Sequence, residues 1–266
     1  MRDLLLLFLS IVAANLFAAP AQAQTIWSRP YQPNQIALEA VVPELPEDDA
    51  SVATGAAFLT ATRSLNDNVE LAAELPVARY ANDATSATAV GNPYVGVGLS
   101  NSSRPFLLEL GVRIPAVPDN EAPRAGQHAD FGRTAAFRDE YVSTSALLNG
   151  RVPLGRYASL RLRSGLTFAS APQAEGDGRG HHWRLPYSAQ LWWNGDQFMT
   201  GLGVDGRPLL SGSTPSRTTH RMVFSLMLDG NRVQPGLLVG TGLDPLFQGG
   251  RFVAVAGFTM SVSYGR

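Results

Sequence analysis

From Arg251 to the C-terminus the chain reads RFVAVAGFTMSVSYGR, a strict alternation of two kinds of residue. Phe252, Ala254, Ala256, Phe258, Met260, Val262 and Tyr264 take the even positions, while the odd positions from Gly257 onward are Gly, Thr, Ser, Ser and Gly. Side chains alternate across a strand, so this segment has one wholly apolar face with aromatics at both ends and one small, polar face. The pattern suits a strand between lipid and a wet interior, and it also suits a strand of a soluble sandwich.

The same period-2 pattern recurs through the chain in runs separated by Gly, Asn, Asp, Pro and Ser clusters. It predicts strands at 35–43, 51–63, 68–79, 89–99, 104–115, 140–149, 157–169, 182–193, 197–206, 218–229, 232–243 and 251–265. The connections alternate in length. SLND, SNSS, NGD and DGN are short, whereas 116–139 and SAPQAEGDGRGH are long. Short turns at one end and long loops at the other, with an even strand count, are the layout of an outer-membrane barrel. A sandwich has no reason to keep that order. The expected fold is an all-β, closed antiparallel transmembrane barrel of about 12 strands, and a secreted soluble sandwich is the alternative.

Ahead of the strands, Arg2 precedes the apolar run Leu4 to Phe17 and the small residues Ala21 and Ala23. This predicts a signal peptide over 1–23, cleaved before Gln24, then a short periplasmic segment over 24–34 and the barrel over 35–266. Export places the chain in the outer membrane of a diderm bacterium, in contact with lipid and with the machinery that inserts barrels. The 21 basic and 22 acidic residues nearly cancel, which argues against a nucleic-acid partner. The absence of Cys excludes a disulfide scaffold and a thiolate metal site.

Charges within strands keep to one face. Glu70 and Glu74 oppose Val69, Leu71, Leu75 and Val77; Glu109 and Arg113 oppose Leu108, Leu110 and Val112; Arg161 and Arg163 oppose Leu160, Leu162 and Leu166. With Glu39, Arg184, Arg221 and Trp192, these form the candidate lumen lining. Acidic residues collect on the first strands and Arg on the later ones, so the two walls either set up a field across the pore or pair and close it. Trp192 faces inward beside Gln190, packed against lumen side chains or offered as a stacking platform. His128, His181, His182 and His220 are scattered in or beside loops, with neither HExxH nor GxSxG in the chain. No catalytic residue, metal site or cofactor is assigned.

Two short motifs carry a resemblance. Glu74, Leu75 and Pro76 close one strand, and Gly91, Asn92, Pro93, Tyr94, Gly96 and Gly98 open a Gly-rich one. The chain resembles, in these stretches and in its strand layout, transporter-like outer-membrane proteins of the phenol-degradation meta-pathway type. Barrels of that group usually end on an aromatic residue, whereas this chain ends Tyr264, Gly265, Arg266. The resemblance implies a porin-like channel for small, often hydrophobic or aromatic, solutes. A plugged structural, receptor or adhesin barrel acting through its loops is the alternative from another class.

Overall fold

The computed structural model describes residues 34–44, 53–100, 106–138, 142–170, 180–210, 220–230, 232–243 and 254–264. The expected signal peptide over 1–23, most of the 24–34 segment, Phe252 and the terminal Gly265 and Arg266 lie outside them.

The strands are β1 (Gln35–Pro43), β2 (Gly55–Asn66), β3 (Val69–Ala81), β4 (Ser86–Val90), β5 (Tyr94–Ser100), β6 (Phe106–Arg113) and β7 (Val142–Pro153). They continue with β8 (Ala158–Ser170), β9 (His181–Arg184), β10 (Tyr187–Asn194), β11 (Phe198–Gly206), β12 (His220–Leu228), β13 (Val233–Gly242) and β14 (Ala254–Ser263). β3 pairs with both β4 and β5 and β8 with both β9 and β10, every other strand pairs antiparallel with its neighbour in sequence, and β14 returns to β1 with Gln35 opposite Ser263, so the sheet closes and both of its ends lie at the short-turn end. β4 with β5, and β9 with β10, each make one staggered wall, giving a closed antiparallel barrel of 12 strands. Closure leaves no unpaired edge around the main wall, which is what lets a sheet stand in a bilayer.

Parity decides which side chains face where. On β1, Gln35, Ala37, Glu39 and Val41 are buried while Ile36, Leu38 and Val42 are exposed. On β8, Ser159 and Arg161 point inward and Leu162 and Leu166 outward. The exposed apolar side chains form the outer belt that a hydrocarbon layer covers, at about 25 cal/mol per Å² of apolar surface kept from water. Rings gather near its rims, with Tyr157 stacked on Trp193 at 6.1 Å at one end and Phe168 against Trp183 at 4.8 Å at the other.

The sequence reads 89–99 and 182–193 as unbroken strands, but both are interrupted. The β3 ladder skips from Val77↔Val90 to Glu74↔Tyr94. Opposite the gap stands Pro76, which has no N–H to donate, while its carbonyl accepts from Gly91 N at 2.8 Å. The two motif stretches therefore meet, and Pro76 and Pro93 lie on the two sides of one irregularity. Pro186 interrupts the other wall, with its carbonyl accepting from Gly165 N at 3.1 Å.

The larger difference is the connection between β6 and β7. Read from the sequence as a long loop over 116–139, it folds into the barrel. It forms a helix α1 (Ala122–Ala129) and a 3-10 segment (Phe131–Phe137). Pro123 suits the first turn, whose N–H groups have no helical acceptor. Ala122, Ala125, Gly126 and Ala129 are buried, a helical stripe of small residues that lets the helix backbone approach the wall closely.

Candidate functional site: a charged lumen beneath an inserted loop

Three contacts seat the loop, each traceable to residue type. Phe137 is fully buried, edge-on to Phe58 at 5.7 Å. Its ring lies against Gly91 and Gly126, where an added Cβ would stand 2.8 and 2.6 Å from ring carbons. Asn92, also fully buried, clasps both ends of the loop. Its Nδ2 donates to the carbonyls of Ala135 (3.0 Å) and Arg138 (2.7 Å), its Oδ1 accepts from Ala116 N (2.8 Å), and its backbone N–H donates to Ala136 O (2.6 Å). Gly91 and Asn92 are thus the socket of the loop, because one leaves room for a ring and the other satisfies backbone that would be orphaned inside a barrel.

The third contact is electrostatic. Arg133 of the loop binds Glu39, Glu74 (3.2 Å) and Asp130 (2.7 Å), with its guanidinium 3.5 Å from the Phe58 ring centroid. Asp130 of the loop binds Arg221 at 2.7 Å, and Arg221 also holds Asp205 at 3.0 Å. The loop therefore presents a cation to the acidic strands β1 and β3 and an anion to the arginine of β12. Burial alone would raise the Asp130 carboxyl; Arg221 and Arg133 more than reverse this and hold it well below the usual carboxylate range.

Below the loop lies a cavity of about 120 Å³. Of the residues singled out from sequence, Glu39, Glu74, Glu109, Arg113, Arg163, Arg221 and Trp192 border it, together with Tyr94. Arg113 pairs with Glu74 (2.6 Å) and Arg163 with Glu109 (3.2 Å), the latter pair joining β8 to β6. Tyr94 donates to Glu109 at 2.6 Å with its ring over Gly96 and Gly111, so Gly96 makes room for a ring beside it. Gly98 stands between Glu70 and Glu109 in the ladder, and a glycine there leaves the space between those carboxylates free of a side chain.

Glu70, Arg161 and Arg184 do not border the space. Glu70 and Arg161 are buried further toward the turn end, and Arg161 lies 5.3 Å from the Trp192 ring. Trp192 is buried with Met199 and Met227, and its Nε1 donates to Gln190 at 2.9 Å. Asp130, Arg133, Asp205 and Arg207 were missed from the sequence, although they complete the arrangement. The one legible signal was the pairing of opposite charges within DFGR, Asp130 to Arg133, in an otherwise small-residue loop.

With that geometry in hand, the comparisons fall in one fold class. The KdgM porin superposes with a TM-score of 0.53 at 10% identity, over 87% of this chain and 99% of its own. An outer-membrane channel from Pseudomonas putida F1 gives 0.55 at 12%, over 90% and 100%. LpxR from Salmonella typhimurium gives 0.51 at 11%, over 86% and 100%. No protein-family model and no curated protein matches the sequence. The fold is that of an outer-membrane β-barrel. At such identities the likeness extends to the barrel and not to what fills it, so the lumen chemistry has to be read from this chain's own residues.

Proposed function

We propose that the chain is an outer-membrane channel for small solutes, held shut by its own inserted loop. The observation that carries this reading is the free space in the lumen, capped at the long-loop end by a segment whose three anchors are side-chain contacts and not covalent bonds. In this reading the long loops face outward, the short turns and both termini face the periplasm, the apolar belt meets lipid, and the outer-membrane assembly machinery inserts the chain. It assigns no catalytic step, metal or cofactor.

The meeting of Pro76 with Gly91, Asn92 and Pro93 supports a place among the transporter-like barrels of the phenol-degradation meta-pathway type. The rings of Tyr94 and Trp192 on the free space are where an aromatic solute would lie. The charges around them favour a solute that also carries a polar group.

The depth of the loop packing, with Ala122 and Phe137 fully buried, favours a second reading in which the loop never leaves and the barrel is structural or a receptor. Swelling of proteoliposomes in solutes of graded size separates the two. The channel reading expects swelling that rises several-fold in Asp130→Asn, which loosens the loop from Arg133 and Arg221. No swelling with either protein, while the barrel stays heat-modifiable, would leave the structural reading.

A further inference from the structure

Five arginines border the free space, and four of them are matched. Arg113, Arg133, Arg163 and Arg221 each lie within 3.2 Å of a carboxylate. Arg207 differs. Among the described residues it has no ion pair, and its one hydrogen bond there runs from Nη1 to Thr134 Oγ1 of the inserted loop at 3.4 Å. The nearest carboxylates on its side are already engaged, since Asp130 and Asp205 are both held by Arg221.

Its backbone is fixed. Arg207 follows directly on β11, and the next residues are stitched to β9 by Leu185 N to Pro208 O (3.1 Å), Leu210 N to Trp183 O (2.8 Å) and the Arg184↔Leu209 bridge. A guanidinium on rigid backbone, facing a cavity with most of its five donors uncommitted, is arranged for the planar, two-point recognition of an oxyanion. We infer that Arg207, with the Thr134 hydroxyl beside it, is an anion-recognition site that takes the carboxylate of a small organic acid. The inference deepens the channel reading and rests on it for how the acid arrives.

The charge of the ligand follows from the neighbours. A single guanidinium neutralises one negative charge; of the charges felt at Arg207 that of Asp130 is the strongest, and with Asp205 it repels a second negative charge against the pull of Arg184 and Arg113. A monocarboxylate fits this balance, and phosphate, largely dianionic near neutral pH, does not. Because Thr134 belongs to the inserted loop, an acid that takes both groups replaces the weak wall-to-loop contact by its own.

The test is binding of benzoate, its neutral isostere benzamide and inorganic phosphate to the detergent-solubilised barrel, read by calorimetry, with swelling of Asp130→Asn proteoliposomes in a neutral sugar measured in parallel. The expected result is benzoate bound at least tenfold more tightly than benzamide, phosphate weaker than benzoate, and a benzoate-to-benzamide ratio near unity in Arg207→Gln but intermediate in Arg207→Lys. Equal binding of benzoate and benzamide by wild type, or an unchanged ratio in a folded Arg207→Gln, overturns the site. Phosphate equal to benzoate overturns the monocarboxylate assignment. Absence of sugar flux through folded Asp130→Asn, with the wild-type benzoate preference intact, would overturn the channel reading while leaving the site in place.

Discussion

The two halves of the lumen solve the same problem differently. In the long-loop half, the inserted segment supplies a partner for each wall group it meets: a ring for the glycine slot, backbone carbonyls for Asn92, a cation for Glu39 and Glu74 and an anion for Arg221. Toward the turn end, the buried Ser159 hydroxyl and the side-chain carbonyl oxygens of Gln35 and Asn149 have no hydrogen-bond partner among the described residues. Buried polar groups do not persist unsatisfied, so ordered water is the partner left for these atoms. Half the bore is therefore built like a protein core and half like a conduit, and loss of a partner should cost much in the first and little in the second.

Arg133→Gln gives the largest expected break of that contrast. It leaves Glu39, Glu74 and Asp130 without their common cation, and removing one partner of a buried ion pair typically costs about 3 to 5 kcal/mol. The loop should therefore leave the bore more readily, and proteoliposome permeability should rise by an order of magnitude or more. Gly126→Val comes next. It drives a branched side chain into the Phe137 ring, and overpacking costs about 1 to 3 kcal/mol. Limited proteolysis with trypsin should then cut after Arg124 or Arg138 several times faster than in the parent.

The pH dependence is smaller, and its sign is fixed. Asp130 has a depressed pKa in the docked loop, so its contribution is fully present above the ordinary carboxylate value of about 3.9 and is lost as pH falls through the docked value. Conductance should stay flat from neutral pH down to about 5 and begin to climb only below about 4. In Asp130→Asn that climb should flatten. Ser159→Ala sits at the bottom of the scale. Its hydroxyl has only water to lose, and the heat-modification midpoint should move by no more than the effect of about 0.5 kcal/mol typical of a solvated site.

How much of this was legible in the sequence follows the same division. Strand parity is local, so the strand positions and the inward direction of Glu39, Glu74, Glu109 and Arg163 could be read from alternation, while the barrel, whose alternation a sandwich shares, was read from the order of short turns and long loops. The insertion of the β6–β7 connection could not. Its sequence is short of large apolar residues because a helix packed against a barrel wall needs small ones, and Ala122, Ala125, Gly126 and Ala129 look like loop composition until their helical spacing is tied to a surface. Asn92 was legible as part of a motif but not as a clasp, since its partners Ala116, Ala135 and Arg138 are defined by a loop conformation that only the closed barrel imposes. The interruptions at Pro93 and Pro186 were visible as prolines within strands, and the alternation on either side masked them.

Excision of the loop tests the central claim most directly. Residues 117–138 are replaced by a short Gly-Ser linker, and single-channel conductance in planar bilayers is compared with that of the parent, with heat-modifiability reporting that the barrel has closed. The account predicts a parent that is shut or nearly so and an excised barrel that conducts steadily at a level at least ten times higher. A folded, excised barrel that conducts no more than the parent would contradict it, because the inserted loop would then not be what closes the bore.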